Sequence, residues 1–159
     1  MELQKLIHVV EGHAEVLAKR WIEKIKEEAG AEAYLRLPET DLQKHVTEAY
    51  KEIGVYLDNS SHEMIQLHFR ETGRRRYRQN LPLQEVIRAI QLARVVVWQY
   101  VLDQGMFDTS MDLYKGLTLY RKLVKFFDWA VIYCVEGYFE ASRKENHLDR
   151  SKPGLPIPL

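Results

Sequence analysis

The chain has 159 residues and a mass of 18.8 kDa, one domain's worth on the usual span of about 100–200 residues per domain and enough to bury a proper core. It is 46% hydrophobic and 29% charged, which excludes a disordered or collagen-like chain. Lys+Arg and Asp+Glu tie at 23 each, so the formal net charge is zero, and that argues against a nucleic-acid binder while leaving room for a local basic patch.

In chain order, residues 3–29 carry Leu3, Leu6, Ile7, Val10, Ala14, Leu17, Trp21, Ile22 and Ile25 at spacings of three and four, one apolar stripe of a helix. Gly12 is a point of bending or breakage, and Gly30 a stop. A second helix is predicted over about 40–57, with Thr40 as its N-cap and a stripe of Leu42, Val46, Ala49, Tyr50, Ile53 and Leu57. Asp58-Asn59-Ser60-Ser61 reads as a turn with a second cap in it. The third helix, about 61–79, turns Ile65, Phe69 and Thr72 inward. Pro38 and Pro82 mark boundaries, because proline suits a helix start and disfavours helix before it. The fourth segment, about 82–104, includes Val95-Val96-Val97, a β-branched run that makes a strand a fair rival. Its length and its 3.6-residue period favour helix, ended by Gly105. The fifth, about 109–146, is one helix or two split near Lys115-Gly116. The reading is therefore an all-α bundle of about five to six helices, with a helical domain over 1–147 and a proline-rich extended tail or linker over 148–159.

Met1-Glu2-Leu3-Gln4-Lys5 lacks the basic start and apolar run of a signal peptide. No stretch is long and apolar enough for a membrane span, and the single cysteine, Cys134, forms no disulfide framework. The expectation is a reduced, cytoplasmic protein with no membrane partner.

Chemistry is sparse. The six histidines lack metal-site spacing: His62 and His68 stand at i and i+6, on roughly opposite helix faces, where a zincin needs i and i+4. No Cys-x-x-Cys, Gly-x-Ser-x-Gly or glycine-rich phosphate loop occurs, so no enzyme and no metal is expected. Cys134, inside Val131-Ile132-Tyr133-Cys134-Val135, reads as a buried, inert thiol. His68, between Leu67 and Phe69, is the best candidate for an axial haem ligand, against the plainer reading of a partly exposed helix histidine. The basic run supplies Arg70, Arg74 and Arg78 at i, i+4 and i+8, stacked on one helix side as a contact for an anion or an acidic partner. Arg75 and Arg76 splay elsewhere. The plainer reading is a solvated face offset by Glu63, Glu71 and Glu85. Asp128, within Phe126-Phe127-Asp128-Trp129, either faces solvent or sits in a salt bridge with Lys125 or Arg121. The last helix carries two apolar stripes. One protomer seldom buries both, so either a homodimer covers one or the other helices wrap this one.

With these residues in hand, the chain resembles the N-terminal sensory domain of RsbR-type proteins, the RsbT co-antagonists of the bacterial stressosome, a domain also found before histidine kinases. The resemblance covers about Leu6 to Tyr138. It is densest over Gly73-Arg74-Arg75-Arg76-Tyr77-Arg78-Gln79-Asn80-Leu81-Pro82-Leu83-Gln84-Glu85-Val86-Ile87, continuing to Arg94 and Trp98, with Trp21, Asp128 and Tyr138 also fitting. It implies a globin-like fold without haem, paired through its first and last helices, and a regulatory role with a signalling partner. On that reading Trp21, Phe126, Trp129 and Tyr133 form the interface. Family members carry an output module such as a STAS domain or a kinase, which this sequence does not hold, so stand-alone and excised readings stay open. The rival is a sensor for haem or another small molecule, with His68 as ligand.

Overall fold

A computed structural model describes residues 3–58 and 62–151. Among them the fold is all-α, seven α-helices and one 3-10 turn, against the five to six helices expected. The first expected helix is two, α1 (Leu3–Gly12) and α2 (Ala14–Glu27), broken at His13 with φ −115° and ψ 25°. Gly12 weakens the helix there because its backbone is costly to order. A 3-10 turn at Glu32–Arg36, not foreseen, follows. Next comes α3 (Glu39–Lys51), with Pro38 in the cap position. Thr40 therefore lies inside the first turn rather than capping it. Proline presets the entry to the helix, and Glu39 and Asp41 put acidic charge at the positive end of its dipole. The chain turns at Glu52 into α4 (Ile53–Leu57). The cap expected at Asn59–Ser61 lies outside the described residues.

The remaining helices are long: α5 (His62–Arg78), α6 (Leu83–Asp103) and α7 (Ser110–Ser151, 42 residues). Pro82 precedes α6, and Gly105 follows it at φ +63°, a conformation that suits glycine. The β-branched run is helical. Val96, Val97, Tyr100 and Val101 are buried while Val95 and Leu102 are exposed, so packing on one face outweighs local strand preference. Helix α7 is unbroken at Gly116, where the ring of Phe107 occupies the space of a side chain. It also runs past the expected end near 146, and 152–159 lie outside the described residues.

Ion pairs and hydrogen bonds fix the directions of the helices. Arg70 meets Glu136 and Arg74 meets Glu140, so residue numbers rise together and α5 and α7 are parallel. Tyr138 bonds the Leu81 carbonyl while Trp98 packs on Tyr120, so α6 runs against α7. The core draws residues from every helix. Helix α7 contributes Leu119, Leu123, Phe126, Phe127, Ala130, Tyr133 and Cys134, all buried. The middle of the last helix is thus wrapped by the others, and its start is not: Met111, Leu113, Tyr114, Leu117 and Tyr120 are exposed.

Candidate functional site

The site is a partly enclosed cavity of about 90 Å³ bounded by the 3-10 turn and by α2, α3, α4, α5, α6 and α7. Its apolar wall includes Trp21, Ile53, Phe69, Ile90, Phe126 and Phe127, and its polar wall His45, His68, Thr72, Arg75 and Arg76. Two aromatic side chains hold the frame by donating to α6: the Trp21 indole N–H to the Ala89 carbonyl at 2.9 Å and the Tyr50 hydroxyl to the Ala93 carbonyl at 2.8 Å. Both acceptors lie on the cavity side of α6, one turn apart, so α2 and α3 are fastened to the same strip of backbone.

The polar wall is unusual. Arg76 is 4% exposed, and a charged side chain is almost never so buried without pairing. Its guanidinium donates to Gln79 Oε1 at 2.8 Å and lies 5.1 Å from the centre of the Tyr34 ring. Its Nε, like that of the half-buried Arg75, is buried without a hydrogen-bond partner. Burial, with Arg76 alongside as a like charge, lowers the Arg75 pKa. His68 is held below the ordinary histidine value by burial first and by Arg75 second, and His45 by burial and then by both arginines. Both histidines are therefore held in their neutral form at pH 7. Burial also pushes the Cys134 thiol up to about 12, as expected for an inert thiol.

The residues singled out from the sequence fall into three places. Trp21 and Phe126 are buried in the protomer's own core and line the cavity. Trp129 and Tyr133 lie near the start of α5: His62 meets the Trp129 ring edge-on at 5.0 Å and hydrogen-bonds the Tyr133 hydroxyl. Arg70, Arg74 and Arg78 form the expected ladder, and each meets a glutamate. Arg70 reaches Glu136 at 2.8 Å, Arg74 reaches Glu71 at 3.2 Å and Glu140 at 3.4 Å, and Arg78 reaches Glu71 at 3.5 Å. Asp128 faces solvent. His68 does reach the cavity, with its ring edge-on to Phe69 and tilted against Tyr56. A volume of about 90 Å³ falls well short of the roughly 300–1,000 Å³ of pockets that enclose drug-sized ligands, so a porphyrin does not fit the site in this shape.

Sequence reasoning missed Arg75 and Arg76. It also missed the contact that clamps α5 to α7. Gly73 stands against the Cys134 carbonyl, and Gly137 against the Arg70 carbonyl. A Cβ at either position would fall inside the contact distance of the opposing backbone. The two helices touch backbone to backbone, which only glycine permits.

The family model of the RsbT co-antagonist protein rsbRD N-terminal domain matches residues 15–151. The chain belongs to this family. No curated protein and no solved structure matches it. As an rsbRD N-terminal domain it falls among stressosome-type regulatory sensor domains. In this member no helix of the described residues is long and apolar enough to cross a membrane.

Proposed function

We propose that this rsbRD-type domain is a non-enzymatic, haem-free, cytoplasmic switch. In it, packing around the cavity is passed to a signalling partner along α7. The helices adopt a globin-like arrangement, and two protomers pair through their first and last helices. The observation that carries the reading is the continuity of α7. The same helix walls the cavity with Phe126 and Phe127, is clamped to α5 at Gly137, and runs on to Ser151, exposed from Arg143 to Leu148. From Phe127 to Ser151 a helix rises roughly 36 Å, so a shift of its packed part moves a distant end. A regulatory role of this kind needs a helix with two packings and no bond chemistry.

Pairing is supported by the apolar side chains at the start of α7, where Leu113, Leu117 and Tyr120 stand exposed on one helix face, and by the half-buried Trp129 further along. Trp129→Asp places a charge in a desolvated contact and is expected to convert a dimer to a monomer. Light scattering of the purified variant checks this, and an unchanged dimer mass counts against the interface. The haem alternative is checked by expression with haem supplied. A Soret band lost in His68→Ala would replace the haem-free reading.

A further inference from the structure

We infer that the cavity is a binding site for a small apolar monocarboxylate, held by the paired Arg75 and Arg76 guanidiniums with its hydrocarbon part against Phe69, Phe126 and Phe127. This deepens the sensor reading by naming the class of molecule sensed, and it rests on that reading for its regulatory meaning. The chemistry comes from the polar wall. Arg75 and Arg76 both line the cavity, Arg76 acts on Arg75 as a like charge, and neither has a carboxylate partner within ion-pair distance among the described residues. Each keeps an Nε–H buried and unpaired. A buried unpaired charge is among the costliest features a core can hold, and adjacent like charges add to the cost. An anion removes both penalties at once, and a planar carboxylate matches the guanidinium fork.

The rest of the cavity selects which anion. Its other faces are aromatic and aliphatic, and the Tyr50 hydroxyl beside them is already committed to the Ala93 carbonyl. A phosphate would turn its remaining oxygens against hydrocarbon. A monocarboxylate presents both oxygens on one edge and an apolar body on the other. His45 and His68, held neutral by burial and by the arginines, can donate a ring N–H without adding charge. The volume of about 90 Å³ is several times the room needed for one water and smaller than the roughly 150 Å³ that holds a benzene, so it suits short acids of about three to four carbons.

The test is calorimetric titration and thermal melting of the intact protein with propanoate, butanoate and 2-methylpropanoate, each beside its uncharged amide and beside inorganic phosphate. The acids are expected to bind and to raise the melting temperature in proportion to saturation, with the amides and phosphate at least about tenfold weaker. Arg76→Met is expected to remove acid binding without lowering the melting temperature of the free protein. It exchanges a buried charge for an apolar chain of similar length, an outcome that a purely structural arginine would not give. Should Arg76→Met fail to fold, Arg75→Met and Arg76→Lys are read by the same weakening of acid binding. Equal binding of amide and acid, equal binding of phosphate, or undiminished acid binding in these variants would overturn the carboxylate site. So would the absence of any binding, and that result would leave the sensor reading standing on its own test of pairing. Acid binding with no change in hydrogen exchange along 138–148 would keep the site and overturn its link to α7.

Discussion

At the scale of single residues, the decisive feature is charge placed in the core. Ile65, Phe69, Thr72 and Arg76 fall at i, i+4, i+7 and i+11 of α5, so the stripe that buries Ile65 and Phe69 also carries Arg76 inward. That signal is present in the sequence, and it distinguishes Arg76 from the surface ladder of Arg70, Arg74 and Arg78. The glutamates that meet the ladder, Glu136 and Glu140, stand 66 residues away, and nothing local announces them. The half-buried His45 and His68 set a pH dependence. In the folded chain His45 and His68 have lowered pKa values, while the unfolded chain binds protons near the ordinary histidine value of about 6.5. Below that value the unfolded state holds more protons, so stability falls as pH drops through it and is fully present above it. Denaturant titrations between pH 7.5 and 5 are expected to show this decline, and His45→Gln with His68→Gln to flatten it; a slope unchanged in the double variant would assign it elsewhere. Cys134, with its thiol pushed up to about 12 by burial, is expected to react with a disulfide reagent at pH 8 only as the protein unfolds, so rapid native labelling would contradict its placement.

At the scale of elements, the helices follow from apolar period and glycine or proline punctuation, and most were legible on that basis. The break after Gly12 was signalled by that glycine; the break at Glu52 was not, because one or two residues out of helical geometry barely disturb a stripe of period 3.6. Gly116, Gly73 and Gly137 carried the opposite meaning to the one their type suggests. Gly116 does not break α7 but makes room for the Phe107 ring, and Gly73 and Gly137 let α5 and α7 touch. A sequence cannot separate a glycine that ends a helix from one that brings two helices together, since the difference lies in what stands opposite. The crossing gives a sharp expectation. Gly73→Ala or Gly137→Ala forces the backbones apart, a small-to-large change that costs about 1–3 kcal/mol or more. Chemical denaturation measures it, and Gly12→Ala, at a position with open space around it, serves as the control that should cost nothing. By contrast, Arg70→Ala removes a pair of partly exposed charges, and such pairs are worth only about 0–1 kcal/mol.

At the scale of the whole molecule, the fold joins a largely apolar cavity, with two arginines in its wall, to one long helix. The cavity was not legible in the sequence, because Trp21, Ile90 and Phe126 would read the same in a solid core. The two apolar stripes of the last helix were legible, and so was the choice between wrapping and pairing. The chain resolves that choice along the helix: neighbours wrap the middle, and the start stays bare. In the proposed reading, the exposed start of α7 is the surface for pairing and the exposed stretch 143–148 is the handle for a partner. One measurement bears most directly on this regulatory reading: native mass spectrometry of the protein as purified. The expected result is a dimer mass, bare or heavier by a small acid on each protomer. A monomer at micromolar concentration, or a mass carrying haem, would contradict it.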